Sequence, residues 1–123
     1  SLIYVICLYI IQGYAKHFKN IYSLRIENKK INGLYDTGNN TNYLNVPIVY
    51  LSQSLYSELF LYVTDIEIST VNNISKIAIY QGPKVVIDKK SLNVYYAFCN
   101  IDTKEYQAIL PNNIFDSSHN ITK

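Results

Sequence analysis

The chain has 123 residues, 49% of them hydrophobic and 16% charged, which suits one domain with its own core and is too apolar for a disordered segment. Eleven basic and nine acidic residues leave a formal charge of +2, too balanced to argue for nucleic acid as a partner. Eighteen Ile, fourteen Asn, thirteen Tyr and ten Lys stand against one Arg and no Trp; these favoured residues share AT-rich codons, so their abundance alone carries no functional message.

The first element is the apolar run Leu2 to Ile11. Ten residues are too few to cross a bilayer, which takes about 20, and no basic region precedes them as in a signal peptide. The run reads either as a buried strand or helix or as the last half of a transmembrane helix that starts before Ser1. Lys16, Lys19, Arg25, Lys29 and Lys30 follow closely, the excess found on cytoplasmic flanks of membrane helices. That favours residues 1–15 as the end of a transmembrane helix, 16–116 as one domain and 117–123 as a polar tail.

Ile21 to Ile26 predicts a strand, Asn28 to Lys30 a turn, and Ile31 to Tyr35 a second strand closing a hairpin. Asp36-Thr37-Gly38-Asn39-Asn40 is loop chemistry. Pro47 to Leu51 predicts a strand with Pro at its start. Ser52 is placed to cap a helix over 53–61, with Leu55, Leu59 and Tyr62 on one face. Further strands are expected at Ile66–Ile68, Ile77–Tyr80, Lys84–Ile87 and Val94–Cys99. Tyr106 to Leu110 is apolar and compatible with more than one state. The sum is a mainly β, mostly antiparallel domain with one or two short helices.

The stretch Gly33-Leu34-Tyr35-Asp36-Thr37-Gly38-Asn39 carries the chemistry. It sets Asp-Thr-Gly at the mouth of an apolar strand, as an aspartic protease requires. The Thr hydroxyl can hold the loop, and Gly38 lets a partner loop come close. The reaction needs two carboxylates about 3 Å apart sharing one proton. Asp65, Asp88, Asp102 and Asp116 lack a following Thr-Gly, so the second carboxylate is expected from a second chain, with both copies of Asp36 on a two-fold axis. As a bare motif, Asp-Thr-Gly also reads as an ordinary turn.

From about Ile21 to Phe115 the chain resembles the sporulation sigma-E factor processing peptidase family of spore-forming bacteria. The matching stretches are Ile31 to Asn39, Val46-Pro47-Ile48-Val49 and Tyr106 to Pro111, in that order. The resemblance implies a retropepsin-like half-protease, closed or partly closed and antiparallel, behind a membrane domain and facing the cytoplasm. It implies a homodimer that removes the pro-segment of a pro-sigma factor, with a forespore-derived signalling protein as activator and no cofactor. By the same resemblance Asp36 is catalytic, and Thr37, Gly38 and Asn39 complete the active-site loop. The chain departs from the family pattern at Asn40 to Asn45, where the family has a Leu and then Asp-Pro. Tyr80-Gln81-Gly82-Pro83 is abrupt where family members carry a longer segment, which implies a shortened flap or substrate-binding loop. Pro111 follows Ile109-Leu110 where retroviral enzymes have Gly. These departures bear on substrate binding more than on fold and leave a degenerate, non-catalytic β domain that scaffolds partners as the alternative.

His17 and His119 flank no ligand pattern, so no metal site is expected. Cys99, in an apolar strand, is expected as a buried thiol, and two lone cysteines make no disulfide framework.

Overall fold

A computed structural model describes residues 20–69 and 72–116; the expected end of a transmembrane helix, the polar tail, Cys7, His17 and His119 lie outside them. Strand β1 (Ile21–Ile26) turns back through Glu27 and Asn28 into β2 (Lys29–Tyr35), with Ile26 opposite Lys29. The turn thus falls just before the expected Asn28 to Lys30. Leu24, Ile26 and Ile31 point into the core while Arg25 and Lys30 stay exposed, the period-two alternation of a half-buried strand. Strands β3 (Asn42–Tyr43) and β4 (Val46–Ser52) meet at Leu44 and Asn45, both with positive φ (53° and 65°). This is the backbone of a type I′ hairpin turn.

The remaining strands are β5 (Leu61–Ser69), β6 (Ile74–Gln81), β7 (Val85–Ile87), β8 (Lys90–Leu92), β9 (Tyr95–Cys99) and β10 (Ala108–Leu110). They form an open sheet in the order β5-β6-β9-β4-β10-β2-β1-β7-β8, with β3 beside β4. The sheet is mixed: β4 runs parallel to β9 and β10 parallel to β2, where antiparallel neighbours were expected. Both parallel pairs join strands far apart in sequence. Neither can be read from hairpin signals, because parallel neighbours need a crossover connection.

Apolar residues cover both faces. Leu24, Val49, Leu51, Val85, Tyr96 and Leu110 belong to one cluster. Leu34, Ile48, Tyr50, Ile79, Ala97 and Ile109 belong to the other. Strand β4 feeds both, which is why it reads as a continuous apolar run from Pro47 to Leu51. Each fully buried Val, Leu or Ile stabilises the fold by about 1.5–3 kcal/mol.

One expected element is corrected. The helix over 53–61 is only a 3-10 turn at Gln53–Leu55, and the chain is extended at Tyr56 (φ −63°, ψ 138°). Leu59 and Tyr62 are exposed, while Phe60 is buried edge-on against Tyr96 and Phe98. The anchor of this segment is therefore an aromatic contact and not a leucine stripe. Ahead of Gly82 lies a long hairpin: β5 and β6 have nine and eight residues and pair from Leu61↔Gln81 to Ser69↔Ile74. Among the described residues no helix is long and apolar enough to cross a membrane.

Candidate active site

Strand β2 delivers Asp36 to the point where its chain leaves the sheet. The Asp36 N–H still donates to the Leu110 carbonyl (3.0 Å), extending the β2–β10 ladder by one bond. Asp36 is 3% exposed and is the only buried charged side chain among the described residues. Its Oδ1 accepts from the Gly38 N–H (3.0 Å), and its carbonyl accepts from the Asn39 N–H (3.1 Å). The loop is thus an Asp-initiated turn closed twice, once by side chain and once by backbone.

Asn39 repeats the device. Its Oδ1 accepts from the Thr41 N–H (3.0 Å) and from the Thr41 hydroxyl, which in turn lies 3.4 Å from the Tyr50 hydroxyl. The loop is then tied to the segment after β10. Asn112 donates its N–H to the Asn39 carbonyl (2.6 Å) and its Nδ2 to the Thr37 carbonyl (3.2 Å). Its own carbonyl accepts from the Tyr35 hydroxyl (3.0 Å). Every polar group that Asn112 offers except Oδ1 thereby engages Tyr35 before Asp36 or Thr37 and Asn39 after it. Asn39 Nδ2 and Asn113 Oδ1 are buried beside this clasp without a hydrogen-bond partner.

All four residues singled out in the sequence, Asp36, Thr37, Gly38 and Asn39, therefore share one turn. Thr37 and Gly38 are exposed and flank the buried carboxylate. No glycine among the described residues has a positive φ, so the turn itself does not require Gly38. Asn112 was missed, although Pro111-Asn112-Asn113 has the composition of a turn. A side chain that organises a loop 75 residues away leaves no local pattern.

A cleft of about 680 Å³ opens elsewhere, lined by Ile26, Ile31, Leu51, Leu55, Phe60 and their neighbours. None of Asp36 to Asn39 lines it. Ile31 and Asp36 are separated along the strand by about 16 Å, from the rise of about 3.3 Å per residue. The cleft is not continuous with the carboxylate's turn.

The three stretches that carry the family resemblance lie on three adjacent strands, β2, β10 and β4. No family model matches the chain, and no curated protein matches it.

Proposed function

We propose that the chain is one half of a retropepsin-like aspartic endopeptidase that works as a homodimer, each copy bringing Asp36 to the two-fold axis. The observation that carries this reading is the Asp36 turn: a buried carboxylate at the mouth of an apolar strand, clamped by Asn112, with Thr37 and Gly38 exposed at its side. One carboxylate cannot accept a proton from water and donate one to the scissile carbonyl in the same step. Two that share a proton can, because like charges so close cannot both ionise. One Asp36 then draws the proton from the attacking water while the other protonates the carbonyl oxygen, giving the tetrahedral intermediate.

The substrate and setting in this reading come from the family resemblance of Ile31–Asn39, Val46–Val49 and Tyr106–Pro111. They are the pro-segment of a pro-sigma factor, at the cytoplasmic face of the cell membrane of a spore-forming bacterium, with a forespore-derived signalling protein as activator. The adjacency of those three stretches on β2, β4 and β10 supports treating them as one functional unit.

A second reading is a non-catalytic, membrane-tethered β domain that scaffolds partners. The 3% exposure of Asp36 is on its side, because a carboxylate so covered in one chain has little access to water or substrate. Co-expressing the full-length protein with its pro-sigma factor in a heterologous host separates the two. Processing lost in Asp36→Ala, at an unchanged protein level, is the expected result. Equal processing by both proteins rules Asp36 out as the catalyst.

A further inference from the structure

Positive charge is concentrated at one end of the sheet. Arg25, Lys29, Lys30, Lys84, Lys89 and Lys90 lie on or next to β1, β2, β7 and β8, where Glu27 and Asp88 in the hairpin turns and Asp36 after β2 are the carboxylates, whereas Glu58, Asp65, Glu67, Asp102, Glu105 and Asp116 lie elsewhere with Lys76 and Lys104. Within the basic edge, Arg25, Lys30 and Lys89 line a cleft of about 170 Å³ with Ser23, Val86 and Asp88.

Three features of this cleft run against what the fold alone favours. The register sets Arg25 directly opposite Lys30, and like charges facing across an antiparallel ladder destabilise it. Lys89 sits in the β7–β8 turn at φ 69°, beside Asp88 at φ 51°, where Asn or Gly is the favoured occupant. The chain takes lysine for ten of its eleven basic residues, yet its one arginine is here. A guanidinium presents a rigid fork of donors that matches oxyanions two at a time, which an ammonium cannot do. An anion among the three cations offsets the repulsion and gives the fork its partner. Three cations against one carboxylate, Asp88, leave an excess suited to a doubly charged group. The cleft is also smaller than the ~300 Å³ from which pockets for drug-sized ligands begin.

We infer that Arg25, Lys30 and Lys89 form a binding site for a phosphate group, borne by a lipid headgroup or free in solution. The site lies on the β1–β2 and β7–β8 hairpins and does not depend on the role of Asp36.

The test uses the full chain, with Arg25→Gln and Lys30→Gln against Lys104→Gln, a cation outside the basic edge. One arm measures co-sedimentation with vesicles containing phosphatidylglycerol, and vesicles of phosphatidylcholine alone set the baseline that the apolar run Leu2 to Ile11 supplies. The other arm titrates inorganic phosphate and follows backbone amide shifts. Arg25→Gln and Lys30→Gln are each expected to weaken binding about fivefold, the effect of one cation near an anionic surface, with Lys104→Gln within about twofold of wild type. Loss confined to phosphatidylglycerol vesicles identifies a headgroup site; saturable shifts at Ser23, Arg25 and Lys89 with phosphate identify a site for the free anion. An equal loss in Lys104→Gln, no binding in either arm, or a loss that tracks lowered thermal stability of the variants overturns the proposal. Asp36→Ala, run alongside, is expected to bind as wild type, so failure of the protease reading leaves this result intact.

Discussion

Tyr96 shows how a single buried residue writes a pH dependence into this fold. Its ring is fully buried in β9, and its hydroxyl donates to the Pro83 carbonyl. Burial pushes that hydroxyl well above the ordinary tyrosine range, because the phenolate would have to form away from water. The folded state therefore holds the proton more tightly than the unfolded chain, whose tyrosines titrate near 10. The sign follows: the stabilisation is complete below pH ~10 and is lost progressively as pH rises towards the folded value, with a slope of up to ~1.4 kcal/mol per pH unit. The informative quantity is the difference from Tyr96→Phe, which removes this hydroxyl alone. That variant is expected to lose about 1 kcal/mol at pH 7, from the hydrogen bond to Pro83, and to show a shallower fall in stability above pH 10. Urea midpoints at pH 7, 9, 10 and 11 measure both effects; parallel curves for the two proteins would refute the assignment.

Strand β10 is the element on which the Asp36 turn depends, since it lies between β2 and β4 and supplies the carbonyl for the Asp36 N–H. Its fit against β2 is set by Gly33, which pairs with Ala108. A Cβ at position 33 would stand 2.6 Å from Leu24 Cδ2 and 3.1 Å from Leu110 Cγ. Both leucines are buried, at 2% and 0% exposure, so neither has room to retreat. Gly33→Ala is expected to destabilise the domain by about 1–3 kcal/mol through overpacking. It should also speed exchange of the Asp36 and Asn112 amides beyond the global change. Hydrogen exchange with a melt decides this: a drop under ~0.5 kcal/mol, within the range of an ordinary surface change, means the contact is relieved cheaply.

The same strand marks the limit of what the sequence discloses. β1 was legible to the residue, because Leu24 and Ile26 alternate with Ser23 and Arg25 and its partner follows a tight turn. The Asp36 turn was legible because Asp, Gly and Asn at that spacing bond their own neighbours. β10 has three residues, all buried, and its partners are Gly33 to Tyr35 and Tyr50 to Leu51, more than fifty residues away. Nothing local distinguishes it from any short apolar run. The helix expected at 53–61 failed for the converse reason. Leu55, Leu59 and Tyr62 have helical spacing by accident, whereas Tyr56, on extended backbone, and Phe60, at the end of the Ser57–Phe60 turn, meet the aromatic rings of Tyr80, Tyr96 and Phe98.

For the molecule as a whole the decisive quantity is the number of Asp36 carboxylates per active unit. In the proposed dimer a chain carrying Asp36→Asn keeps the side-chain oxygen that accepts from Gly38 N–H, so the turn and the pairing surface survive while the proton-sharing pair does not. Such a chain poisons every dimer it enters. Expressed in equal amounts with the active chain and pairing at random, it leaves about a quarter of the two-fold assemblies with both carboxylates. Processing is then expected to fall to about a quarter of that seen with the same total amount of active chain. A protein whose catalytic unit is one chain would retain about half, since half the chains are intact. A fall to a quarter requires both that the chains pair and that each contributes to one site, and it needs no knowledge of where the substrate is cut. Activity held at half, with the dimer demonstrated by cross-linking, would mean that pairing and chemistry are separate properties of this fold.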